Sequence, residues 1–174
     1  MPAIYYGVLR SVALQPGRPV ARNALLYAAA SQAMDDAMIG VFDAKYHYHF
    51  WRPVSAIRNG DIDGNEATQR DAAWQSLIEA PMHPEYPSAH AILAASVGAV
   101  LAADIGSAPV PLLTTSSPSA KGATRSWNSI DAFVQEVGDA RIHAGIHYRA
   151  ATQAGTAMGR RIGELAALKY MPLP

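Results

Sequence analysis

Lys45 and Arg52 stand seven residues apart in the stretch FDAKYHYHFWRPVSAIR, residues 42–58, among Phe42, Tyr46, Tyr48, Phe50 and Trp51. Aromatic side chains favour burial and cations resist it, so the stretch asks for an anion. Arginine offers a planar fork for tetrahedral oxyanions and lysine a point charge. On one helix, seven residues is almost two turns, and both cations would face the same way. The competing reading is that their stems are buried and their heads stay wet.

A second group is YPSAHA, residues 86–91, where Ser88 and His90 fall in the first turn of a long apolar stretch. A helix N-terminus carries free N–H groups and a partial positive charge, which suits an anion. Ser88 can add its hydroxyl and Ala89 its amide. Ordinary capping explains a Pro-Ser start equally well. Ser88 is not read as a hydrolase nucleophile, because YPSAH lacks the glycine-bounded elbow.

The third group is ARIHAGIHYR, residues 140–149. Apolar residues at 130, 134 and 137 have helical spacing, and four residues further along that stripe is Arg141. An arginine on a core face needs an anionic partner inside. His147 would point away from Arg141 on an unbroken helix, but Gly145 permits a break that turns it back. His143 and His147, four apart, also have zinc-ligand spacing. Gly145 between them and the absence of cysteine make that the weaker reading. His47 and His49 read as surface or packing residues.

These groups need elements to hold them. Residues 1–19 read as irregular. Residues 21–40 predict a helix stopped by Gly40; residues 41–53 read as helical at first, until Pro53 biases Arg52 away from the α region. Residues 59–71 are a polar loop, with a short helix expected from about Thr68 through Ile78. The prolines of 80–90 demand extended chain before a helix from about Pro87 to Asp104. Residues 106–126 are a long loop of small residues, followed by helices from Trp127 and through Ala154, Met158, Ile162 and Leu165. No segment alternates long enough to predict a strand. The fold class is all-α, a helical bundle, in one domain over 1–174.

Half of the 174 residues are hydrophobic, which supports a packed core. Lysine plus arginine balance aspartate plus glutamate at 14 each, so nothing points to nucleic acid or a membrane surface. With no cysteine, disulfides and thiolate metal sites are excluded. The N-terminus is not read as a secretion signal. The most apolar stretch, residues 91–103, is shorter than the about 20 residues a bilayer span needs.

Taken in order, K-x6-R-P, P-S-x-H and R-x5-H, spanning residues 45–147, resemble the signature of the type 2 phosphatidic acid phosphatase (PAP2) and vanadium-dependent haloperoxidase superfamily. KYHYHFWRP, PEYPSAH and ARIHAGIHYR are most similar to its soluble bacterial haloperoxidase-like branch. The resemblance implies an α-helical bundle of the PAP2/haloperoxidase type with an oxyanion at its core. By resemblance, Lys45, Arg52 and Arg141 neutralise the oxygens of vanadate or phosphate, and Ser88 and the Ala89 amide add hydrogen bonds. His147 would ligate vanadium or attack phosphorus, and His90 would be the general acid/base. The implied reactions are halide oxidation with vanadate and hydrogen peroxide, or acid phosphatase hydrolysis of phosphate monoesters through a phosphohistidine. A helical oxyanion-binding module without turnover is the third reading.

The departures from the pattern set expectations of their own. Ala89 replaces a usual glycine and would resist a positive φ. Ala151 stands where many members carry an acidic residue, which leaves the His147 tautomer to Thr152, Gln153 or a backbone carbonyl. Cations around His147 should depress its pKa. The chain looks short before Lys45, which leaves a fragment, a minimal core or a protomer completed by a partner copy. Relatives are often exported. His83 and Phe42 occupy positions linked by resemblance to halide choice, and His83 favours bromide over chloride.

Overall fold

The computed structural model of the chain describes residues 2–117 and 120–171. The chain runs through α1 (Pro2–Ala13), α2 (Val20–Tyr48), α3 (Pro53–Arg58), α4 (Ala89–Ile105), β1 (Leu113–Ser116), β2 (Thr124–Trp127), α5 (Ile130–His143) and α6 (Arg149–Tyr170). It is a helical bundle, and among the described residues its strands form one short hairpin. No helix among them is long and apolar enough to cross a membrane.

At the centre lies α4, nearly apolar all round, as expected of a helix buried on every side. It packs against α6, α2 and α5. The α6 contact is unusually close because Gly155, Gly159 and Gly163 face it at four-residue spacing. A Cβ on Gly155 would lie 2.6 Å from the Ser88 carbonyl oxygen, and one on Gly159 would collide with the Ile92 carbonyl. Backbone-to-backbone packing thus brings the start of α6 against the start of α4, where Ser88 and His90 sit.

Four expectations are corrected. Residues 2–13 are helical, because Pro2 fits a first turn and Tyr5, Val8, Leu9 and Val12 form a buried stripe at helical spacing. Gly40 does not stop α2, which runs on to Tyr48 because Val41 and Lys45 are buried on the same face as Met34 and Ala37. The segment from Thr68 through Ile78 forms turns, not a helix. Its backbone is held instead by long-range bonds, Asp71 N–H to the Ile57 carbonyl and Leu77 N–H to the Ala144 carbonyl.

The fourth correction is the hairpin in the expected loop, which pairs Leu113 with Trp127 and Ser116 with Thr124. It docks on α1, where the Thr115 hydroxyl donates to the Ile4 carbonyl and Thr114 N–H to Ser11 Oγ.

Candidate functional site

Lys45 and Arg52 converge, but not from one helix face. Lys45 lies in the last turn of α2, which ends where His49 takes a left-handed conformation, φ 48°. The chain then turns back, and Arg52 is the extended residue before Pro53 opens α3, as the proline rule requires. Both are buried: Lys45 is 0% exposed and Arg52 6%. Neither head snorkels.

Both cations are met by the strap of residues 83–87. Lys45 Nζ donates to the Pro84 and Glu85 carbonyls at 2.8 and 2.9 Å. Two partners leave one of its three donors unused. Arg52 Nε donates to the His83 carbonyl at 3.1 Å and Nη1 to the Ile146 carbonyl at 2.8 Å. Nη1 also lies 3.3 Å from His147 Nε2, and Nη2 3.2 Å from His83 Nδ1. The third cation of the opening stretch, Arg58, is structural: it donates to the Trp74 carbonyl at 2.8 Å.

Ser88 is the N-cap of α4, fully buried, its Oγ accepting from Ala91 N–H at 3.5 Å. As an acceptor there, its own proton is free to donate elsewhere. Ala89 is the first helical residue and is not among the positive-φ positions, so it carries no strain. Its N–H belongs to the first turn, which has no partner inside the helix. The hydroxyl of Tyr5 braces this turn by donating to the His90 carbonyl at 3.1 Å.

Gly145 breaks the chain between α5 and α6 with φ +73°. That break brings buried His147 to the same region as Arg141, while His143 stays exposed at the end of α5. The two histidines share no helix face, and no metal-ligand group of three occurs among the described residues. Arg141 Nε is buried with no hydrogen-bond partner. Its charge lowers the pKa values of both His90 and Arg52.

Glu85 is the residue the sequence left unassigned. It is fully buried. Its Oε1 lies 2.6 Å from His147 Nδ1 and accepts from Tyr148 N–H at 2.9 Å. The acidic partner that Ala151 cannot provide is Glu85, 62 residues before His147, in place of the expected Thr152, Gln153 or backbone carbonyl. Thr152 does not serve, since its hydroxyl donates to the Arg149 carbonyl, and Gln153 is exposed. The signal was a charged residue between two prolines in PEYP, inside an extended segment beside the anion motif.

Burial pushes the His147 pKa down; Glu85 opposes that shift, and Arg52 and Lys45 add to it. The expected direction holds, with burial rather than charge as the main cause. Burial and Arg141 bring His90 down to about 3. Burial and Arg52 bring Lys45 down to about 7. All three groups resist protonation while no anion lies among them.

His83 is half-buried, its ring edge-on to Phe42 at 5.1 Å between centroids. An open cleft of about 480 Å³ reaches Arg52 from outside, past Arg58, Leu77, Ile78 and Met82. Tyr46, Tyr48, Phe50 and Trp51 are substantially exposed around the same end.

Residues 25–173 match the family model described as the VCPO second helical-bundle domain, and the chain belongs to this family. It is similar to a solved structure titled as the first bacterial vanadium-dependent iodoperoxidase, with TM-score 0.80 and 29% identity. That match covers 95% of this chain and 38% of the other. It also shares its fold with bacterial vanadium-dependent chloroperoxidase in holo and apo forms, TM-scores 0.63 and 0.64, each at 21% identity. Those matches cover 79% of this chain and 34% of the others. The chain therefore spans little more than a third of the length of these proteins. No curated protein matches it.

Proposed function

We propose that this chain is the oxyanion-binding catalytic part of a vanadium-dependent haloperoxidase, which uses vanadate and hydrogen peroxide to oxidise a halide. The observation that carries the reading is Arg141, a cation whose buried Nε has no partner in a cluster with Lys45 and Arg52. Such a group is costly unless an anion meets it. Even with Glu85 ionised, the two arginines outnumber one carboxylate, and an anion that raises the Lys45 pKa would add a third cation, so the site suits a tetrahedral oxyanion. The residues therefore fit vanadate, and phosphate equally.

Each side chain then has a task. Arg52 and Arg141 offer N–H donors, Lys45 its unused third donor, and Ser88 and Ala89 a hydroxyl and a first-turn amide. His147 Nε2 is the ligating atom. Arg52 Nη1, 3.3 Å from Nε2, would give up that contact to a bound anion. His90 is neutral without an anion; a nearby negative charge raises its pKa and lets it move protons. Bound vanadate supplies the Lewis-acid centre at which peroxide is activated for halide oxidation. His83, beside Arg52 and Phe42, is the proposed halide-side residue, with bromide preferred to chloride.

The contact of His147 Nε2 with the donor Arg52 Nη1 also supports acid phosphatase chemistry. Nε2 would attack phosphorus as the ester P–O bond breaks, His90 would protonate the leaving alcohol, and water would then cleave the P–N bond to release phosphate. A binding module without turnover draws less support, because Ala89 is unstrained and Glu85 supplies the acid missing at Ala151.

One plate separates these readings: dye bromination with peroxide and bromide, and hydrolysis of a chromogenic phosphate monoester, each with and without orthovanadate. Bromination that requires orthovanadate is the expected result. Phosphate release suppressed by orthovanadate would replace it with the phosphatase. Tight vanadate binding with neither activity would leave the binding module.

A further inference from the structure

We propose that Glu85 is a positioning residue that fixes His147 as its Nδ1–H tautomer, leaving the Nε2 lone pair to meet the anion. The importance of that atom rests on the oxyanion reading above; the assignment of the proton does not.

Two bonds decide where the proton lies. Glu85 Oε1 accepts from Tyr148 N–H, so this oxygen acts as an acceptor, and the Nδ1 atom 2.6 Å away must donate to it. On the other side of the ring, arginine can only donate. Arg52 Nη1 at 3.3 Å therefore requires a lone pair on Nε2. A proton on Nε2 would face a guanidinium and leave Nδ1 pointing its lone pair at a carboxylate oxygen. Free neutral histidine side chains favour the Nε2–H form, so the protein reverses the intrinsic preference.

Glu85 is itself held from three sides. Its N–H donates to the Phe50 carbonyl at 2.8 Å, its carbonyl accepts from Lys45 Nζ at 2.9 Å, and its carboxylate meets both His147 and Tyr148. One residue thus ties the lysine, the segment before Arg52 and the start of α6 together. Side chains that orient a ligating histidine through its far nitrogen typically change ligand affinity ten- to a hundred-fold when removed.

The test is ¹⁵N NMR of the histidine rings in the anion-free full chain at neutral pH, with His147→Ala to assign the signal. Wild type should show a protonated Nδ1 and an unprotonated Nε2. Glu85→Met, similar in size but with no carboxylate oxygen, should shift His147 to the Nε2–H form or a mixture. Glu85→Gln keeps an amide oxygen for Nδ1–H and should restore the wild-type pattern. Inorganic phosphate should bind Glu85→Met about ten- to a hundred-fold more weakly and Glu85→Gln within a few-fold of wild type.

A mixed or Nε2–H spectrum in wild type overturns the proposal, and does so even if Glu85→Met fails to fold. An unchanged tautomer in Glu85→Met, or a changed tautomer with unchanged phosphate affinity, overturns it too. Failure of the haloperoxidase reading alone would appear as a correct tautomer in a protein that brominates nothing.

Discussion

Arg52 Nη1 stands 3.3 Å from His147 Nε2, both side chains nearly closed to solvent. The guanidinium occupies the lone pair that the proposed chemistry needs, so without an anion the site is paired with itself. An arriving oxyanion must take over that contact, since the other N–H groups of Arg52 already meet His83, Pro84 and Ile146. Arg52→Lys keeps the charge and loses the fork. Its effect should be a loss of about 1.5–3 kcal/mol in phosphate or vanadate binding, the range for hydrogen bonds to charged groups. Calorimetric titration checks this, and a dissociation constant within threefold of wild type would show that Arg52 is not a direct ligand.

A second prediction concerns acid stability. His90 has its pKa brought from 6.5 down to about 3 by burial and Arg141. Between those values the unfolded chain takes up a proton that the folded site refuses. Stability therefore rises with pH across this window and falls on acidification. The depressed His147 adds to the slope with the same sign. Denaturant unfolding from pH 6.5 to pH 4 should reveal a loss on the order of a few kcal/mol. His90→Gln should flatten the slope, and phosphate should flatten it too, by giving His90 an anionic neighbour. A slope unaltered by His90→Gln would assign the acid sensitivity to other groups.

The candidate side chains could be proposed from the sequence because their types are rare together and their spacing is local. Lys45, Arg52, Ser88, His90, Arg141 and His147 could be named without a fold, and Gly145 showed how Arg141 and His147 could meet. Glu85 was hidden because its partner lies 62 residues away and only tertiary packing joins them. The same cause hid the hairpin: LTTS and TRSW have little strand pattern of their own, and their pairing leans on α1. Local rules also misled at Gly40, where burial of Val41 and Lys45 outweighed a weak stop signal.

Two glycines in helices should respond oppositely to alanine. A Cβ at Gly159 collides with the Ile92 carbonyl, whereas one at Gly40 meets nothing within 4 Å. Gly159→Ala should destabilise by about 1–3 kcal/mol, the usual cost of overpacking. It should also loosen the α4–α6 contact that seats Ser88. Gly40→Ala should stabilise by about 0.4–1 kcal/mol, because alanine restricts the unfolded chain. Urea unfolding midpoints measure both. A neutral Gly159→Ala would mean that α4 and α6 are not held at backbone contact.

Halide choice offers the last prediction. His83 Nδ1 lies 3.2 Å from Arg52 Nη2 and also 3.2 Å from the Pro84 carbonyl oxygen. The guanidinium can only donate and the carbonyl can only accept, so Nδ1 pairs with Arg52 in the Nε2–H tautomer and with Pro84 in the Nδ1–H tautomer. With Phe42 edge-on at 5.1 Å, the half-buried ring in the tautomer that pairs with Arg52 offers its Nε2–H as a donor beside the cation cluster. A weakly hydrated anion such as bromide can use that donor at lower desolvation cost than chloride. His83→Ala removes the donor and leaves the bonds of Arg52 to the His83 and Ile146 carbonyls in place. Bromide kcat/KM should fall about tenfold, as expected for one hydrogen bond to a charged group, while orthovanadate affinity stays within about threefold. Steady-state bromination across bromide concentrations provides the measurement. Unchanged bromide kinetics would take His83 out of the halide path, and an equal fall in vanadate affinity would make it a support for Arg52 instead.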